Sequence, residues 1–174
     1  MAVRRKRVEQ TVRELLGANQ VSHPPIPVDR IAKRQGLMLR AEPLESTLSG
    51  FLYRAGDRAV VGTNSLQPQV RQRFTVAHEL GHFMLHELEE LHVDRQVHFK
   101  LRSKLSSQGT DDDEIEANLF AAEILMPRDM IANDVRRLGA IDVIDDKITS
   151  LAQRYRVSVQ AMTLRLRDLG YIER

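Results

Sequence analysis

Cysteine is absent from all 174 residues, and that absence removes disulfide frameworks, thiol catalysis and cysteine-ligated zinc together. Any bound metal has to be held by His, Asp and Glu. Also lacking is an apolar run of membrane-spanning length, and the basic start "MAVRRKRVEQ" leads into a polar helix rather than the apolar core of a signal peptide. The expectation is a soluble, cytoplasmic protein without membrane contact. Charge of one sign is missing too: 26 Lys and Arg face 24 Asp and Glu, a formal net charge of +2. So even a balance does not mark a nucleic-acid binder, and any DNA contact would be local. There is no internal repeat. What the chain does have, at 42% hydrophobic residues, is enough apolar surface for one ordinary core and a small appended unit, but not for two full domains.

Periodicity orders the elements. Val8, Val12, Leu15 and Leu16 recur at helical spacing between Arg4 and Leu16, with Gly17 as the stop and "RRKR" as a solvated helix end. "SHPPIPV" reads as a rigid connector, and Val28, Ile31 and Ala32 mark a short helix closed by Gly36. "LMLRA" reads as a strand, and "SGFLYRAGDRAVVGTN" as a hairpin turning through Ala55 to Arg58. A long buried helix follows from Gln69 to His86. The next 25 residues read as irregular, with a strand at "QVHFKL" and a polar loop at "SSQGTDDD". "DEIEANLFAAEIL" is a second apolar helix ended by Met126 and Pro127, and two short helices lie between Ile148 and Gly170. Strands before helices predict an α+β layout.

The chemistry is concentrated in "RQRFTVAHELGHFMLH", residues 71 to 86. On a helix His78 and His82 stand on one face ~6 Å apart along the axis, so both rings can direct a nitrogen at one zinc ion about 2.1 Å from each. Glu79 lies about 100° round from His78, outside the ligand set but near enough to take a proton from an activated water. Gly81 weakens the helix relative to Ala, which implies that something packs closely on its backbone. His86 is ~12 Å along the axis from His78 and cannot be a third ligand. The extended zinc-protease pattern is excluded as well, because Leu85 and Leu88 stand where it needs Gly and His.

A carboxylate from the following helix remains. Glu114 and Asn118 are four apart, so a metal-binding Glu114 would leave Asn118 on the same face, able to hold a ligand histidine by hydrogen bonding. Glu116 is turned about 200° away from Glu114. Only one of the two can face the site, and the pairing with Asn118 favours Glu114. The competing reading takes both as solvated acids at a helix start.

"RFTVAHELGHFMLH", "EIEANLFAAEILMP", the closing "LAQRYRVSVQAMTLRLRDLGYI" and the lead-in "PIPVDRIAKRQGL" together resemble the ImmA/IrrE metallopeptidases over most of the chain. The resemblance implies a small zincin-like domain with a short twisted sheet and an active-site helix, residues 1–136. A C-terminal helical, helix-turn-helix-like unit, residues 137–174, would pack on it. It further implies a gluzincin-like, zinc-dependent endopeptidase that cleaves a partner regulator, often a helix-turn-helix repressor. Longer relatives add a C-terminal sensor domain, which is not expected within these 174 residues. In this reading His78, His82 and Glu114 hold Zn2+, with Mn2+ or Fe2+ as substitutes, and Glu79 is the general base. Tyr53, His98 and Arg73 are the candidates for a donor to the reacting carbonyl oxygen. The hairpin's edge is a candidate for binding an extended substrate.

A second function class competes. The two last helices resemble a helix-turn-helix in which Gln160, Thr163, Arg165 and Arg167 would face DNA, with the basic N-terminus as an auxiliary contact. The alternative protein is a DNA-binding regulator with a non-catalytic metal site.

Overall fold

The computed structural model describes residues 2–56, 58–87, 91–95, 111–138 and 146–173. Its elements follow in the order α1 (Arg5–Ala18), α2 (Val28–Arg34), β1 (Leu37–Glu42), β2 (Leu48–Ala55), β3 (Arg58–Asn64), α3 (Gln69–Leu85), β4 (Leu91–Arg95), α4 (Asp111–Leu125), α5 (Arg128–Leu138), α6 (Asp146–Tyr155) and α7 (Val159–Asp168). The fold is α+β. One mixed sheet has the strand order β1-β3-β2-β4, with β1 parallel to β3 and the other two pairings antiparallel. Among the described residues, no helix is long and apolar enough to cross a membrane.

The expected α1 forms because Val8, Val12 and Leu15 make a buried stripe. Its end differs from expectation: Gly17 stays inside the helix, and the chain turns away through Gln20 in the left-handed region at φ +54°. "RRKR" is not simply a solvated helix end either, since Arg4 is tied to Glu116. Helix α2 buries Val28, Ile31 and Ala32 as the spacing requires, and Gly36 supplies the left-handed residue after it at φ +89°.

The hairpin β2–β3 forms with its turn between the paired Ala55 and Arg58, as expected, but neither strand is a free edge. β3 is flanked by β1, and β2 by β4. The expectation that the hairpin's edge receives substrate is thereby corrected: among the described residues the sheet's edges are β1 and β4. The expected strand at "QVHFKL", the candidate His98 and most of the "SSQGTDDD" loop lie outside the described residues.

One hydrophobic core takes residues from α1 through to Ile172, on both sides of residue 137. Helices α3 and α4 cross at its centre, and Gly81 is where they meet: a Cβ there would lie 3.1 Å from Cβ, Cγ and Cδ1 of Phe120. That contact is the close packing the glycine implied. Helix α5 has no counterpart in the sequence expectation. It is joined to α6 through buried Asp134, whose Oδ2 accepts from the Tyr155 hydroxyl at 2.9 Å and from Arg154 Nε at 2.8 Å.

The C-terminal pair forms as expected around Ser158, whose Oγ caps α7 by accepting from the Ala161 amide at 3.1 Å. Its charge placement contradicts the DNA-facing assignment of Arg165. That guanidinium is buried, donates to the Met126 carbonyl at 3.1 Å and pairs with Glu123 and Asp168. Arg165 fastens α7 to the end of α4.

Candidate metal centre

Helix α3 carries His78 and His82 one turn apart, and both are almost fully buried. Because the glycine at 81 lets α4 approach, Glu114 in its first turn reaches the same point. His78 Nε2 and His82 Nε2 lie 3.0 Å apart, Glu114 Oε2 is 3.5 Å from the first, and Glu114 Oε1 is 3.4 Å from the second. Donors about 2.1 Å from a tetrahedrally bound zinc ion stand about 3.4 Å from one another. The spacings are therefore those of zinc ligands, with Glu114 turning a different oxygen toward each histidine, and the mixture of imidazole and carboxylate suits Zn2+. Glu79, the next residue along α3 after His78, is completely buried.

A fourth side chain joins the cluster that sequence reasoning missed. His92 on β4 lies with its Nε2 3.6 Å from Glu114 Oε1, and its ring centroid is 4.0 Å from that of His82. His78, His82, His92 and Glu114 all offer ligand atoms within 4.8 Å of one another. The sheet register explains the placement. His92 pairs with Leu52, which is 1% exposed, and cross-strand partners share a face. Its neighbour Val93 pairs with Phe51 and is exposed. Sequence alternation gave no such signal, because it sets the apolar Leu91 and Val93 apart from His92.

Burial governs the electrostatics. Desolvation pushes the His82 imidazole down to about 4, and it lowers His92 as well. Burial works to raise the Glu114 carboxyl, but hydrogen bonds from His78 and His82 outweigh it and hold the group well below the ordinary carboxylate range. Neutral imidazoles and an ionised carboxylate are the protonation states a metal ligand set needs.

Beside this cluster stands a second. His82 Nδ1 faces His86 Nδ1 at 3.1 Å, and His86 Nε2 lies 3.2 Å from Glu116 Oε2. The Glu116 carboxylate also accepts from the Arg4 backbone N–H at 2.6 Å, from its Nε at 3.0 Å and from its Nη2 at 2.7 Å. Hydrogen bonding from Arg4 holds Glu116 down at about 2. The structure thus separates the two glutamates: Glu114 faces the histidine pair, while Glu116 is a buried acid engaged elsewhere rather than a solvated one. His86 is outside the first cluster, in accord with its distance along the helix.

Three other expectations are corrected. Asn118 is exposed on α4 and makes no hydrogen bond to a ligand histidine. Tyr53 alternates with buried Leu52 on β2 and is exposed on the opposite side of the sheet from His92. Arg73 is occupied with backbone, donating from Nη2 to the Ile26 carbonyl at 3.0 Å and from Nε to the Arg156 carbonyl at 3.3 Å. It clamps two loops and does not aim at the metal cluster.

A search of curated proteins finds no match to the chain. A family model does match, over residues 32–167, and it describes the IrrE N-terminal-like domain of a peptidase family. That span holds every member of the histidine and carboxylate cluster, and it covers well over half of the chain, so the protein belongs to the IrrE N-terminal-like, or ImmA/IrrE, family of peptidases.

Proposed function

We propose that this peptidase is a zinc-dependent endopeptidase that cleaves a partner regulatory protein of the helix-turn-helix repressor kind. The observation that carries the metal assignment is the convergence of His78 Nε2 and His82 Nε2, 3.0 Å apart, with the Glu114 carboxylate, whose Oε2 lies 3.5 Å from the first and whose Oε1 lies 3.4 Å from the second. A zinc ion held there would supply Lewis-acid activation of a water and of the scissile carbonyl. Mn2+ or Fe2+ suits the same donors less specifically.

The chain's own residues do the rest. Glu79 takes a proton from the attacking water on its carboxylate and delivers it to the leaving amide nitrogen. Its burial excludes bulk water that would otherwise stabilise the carboxylate. His92 Nε2, beside Glu114, is the side chain best placed to hold the reacting carbonyl oxygen, a role for which Tyr53 and Arg73 are misplaced. The backbone of edge strand β4 offers an extended peptide hydrogen bonds alongside the cluster. Residues 137–174 brace this machinery rather than read DNA, as the buried ties of Arg165 indicate.

Two variants and one assay test the reading. Glu114→Ala should strip most of the zinc from purified protein. Glu79→Gln should keep it while cleavage of a co-expressed repressor, read as fragments by mass spectrometry, drops by about 10²–10⁴-fold. Full zinc retention by Glu114→Ala, or undiminished cleavage by Glu79→Gln, would remove that residue from its assigned role.

A further inference from the structure

The second cluster of His86, Asp113, Glu116 and Arg4 takes no part in the proposed reaction, yet it touches a ligand. Its donors are close enough for a metal of its own: one ligand atom each from His86, Asp113 and Glu116 falls within 4.8 Å of the others. Charge argues against that use. Both oxygens of Glu116 accept hydrogen bonds from Arg4, whose guanidinium already supplies the cation. The arrangement has a different logic, set by the direction of the hydrogen bonds.

Once the Nε2 lone pairs of His78 and His82 are committed to an ion, His82 carries its proton on Nδ1. The atom facing it is His86 Nδ1, 3.1 Å away, which must then accept. His86 in turn carries its proton on Nε2 and donates it to Glu116 Oε2 at 3.2 Å. Asp113 Oδ1, 3.5 Å from the same nitrogen, draws that proton in the same direction. Glu116 stays ionised against Arg4. Every donor in the row has an acceptor, and only one set of tautomers satisfies it.

Building on the metal assignment above, we propose that His86, Glu116 and Arg4 form a directed hydrogen-bond relay that orients His82 and raises its donor strength. The approach to α1 thereby sets the metal affinity of a centre built on α3 and α4. Ligand histidines are fixed by what their second nitrogen bonds, and loss of such a partner typically weakens metal binding by about 10–100-fold. Here the partner is another imidazole, whose basicity depends on the carboxylate behind it and on the arginine behind that. His86 and Glu116 are positioning residues.

The test measures zinc dissociation constants of the full chain by competition with a chromophoric chelator, with metal-free melting recorded in parallel. Glu116→Gln and His86→Ala should each weaken zinc binding by about 10–100-fold. The double variant should be no weaker than the worse single, because both act through one row. Arg4→Gln, at a partly exposed position where the backbone N–H to Glu116 is kept, should weaken binding in the same direction by less. An Arg4 or Glu116 variant that melts earlier when metal-free but keeps the wild-type zinc constant would reduce the cluster to an ordinary ion pair and overturn the relay. Additive losses in the double variant overturn it as well. A second zinc equivalent that disappears in Glu116→Gln would replace the relay by a metal site. No zinc binding by the wild type would defeat the metal assignment itself, and the relay with it.

Discussion

At the scale of the residue, burial makes the metal-free site sensitive to acid. Above pH ~6.5 His82 is neutral in both the folded and the unfolded chain, so its ionisation adds nothing to stability. Between that pH and about 4, the folded value for His82, the unfolded chain holds a proton that the native site refuses. Stability must therefore fall as pH falls through this window. His92, lowered for the same reason, acts in the same sense. Glu114, held well below the ordinary range, stays ionised throughout the window and does not offset them. Urea unfolding in the presence of chelator should show a lower midpoint at pH 5 than at pH 7, and His82→Gln should lose part of that difference. An equal or higher midpoint at pH 5 would contradict the assignment. The reading of individual residues divides along a physical line. The helical spacing that sequence displays puts His78, Glu79 and His82 together on α3; for Glu114 it offered only the pairing with Asn118, which is exposed. Arg4 and Glu116 meet across 112 positions, and no periodicity records a contact between two charges on separate helices.

At the scale of the element, the crossing of α3 and α4 sets the distance between the histidine pair and Glu114. Gly81→Ala improves local helix propensity by ~1 kcal/mol, but the new methyl would stand 3.1 Å from the Phe120 Cβ. Phe120 is fully buried and its Cβ is fixed to the backbone, so the helices rather than a flexible side-chain end must give. Overpacking of this kind costs about 1–3 kcal/mol. The expected result is a lower melting temperature with weaker zinc binding, because Glu114 moves with α4. A more stable variant with unchanged zinc affinity would mean that the crossing does not gauge the site. Helices α3 and α4 were legible because their apolar residues recur at helical spacing. β4 was not: it is five residues long, with polar residues on both sides of its alternation. Helix α5 escaped because its buried positions are Ile131 and Asp134. A buried aspartate satisfied by Tyr155 and Arg154 looks, in sequence, like surface.

At the scale of the whole molecule, α7 is fastened to the end of α4 through Arg165 and α6 to α5 through Asp134. Arg165→Ala would leave the Met126 carbonyl and Glu123 Oε2 without the guanidinium, with only the Arg128 backbone N–H still donating to Glu123 Oε1. Breaking a buried pair in this way costs about 3–5 kcal/mol. The variant should melt markedly earlier, and neither it nor the parent should select one DNA sequence in a binding-site selection. An operator preferred by roughly a thousandfold, lost on Arg165→Ala without a change in melting, would restore the DNA-binding reading. The tie between Arg4 and Glu116 also has a consequence in time. A ribosome extends a chain at about 5–20 residues per second, so the 112 positions between those partners are made over roughly 6–20 s. The histidine helix, residues 69–85, is made late in that interval, and for roughly 2–7 s after His82 is added the chain still lacks Glu114 and Glu116. The proposed ligand set is thus complete only once about two thirds of the chain, through Glu114 of 174 residues, has been synthesised.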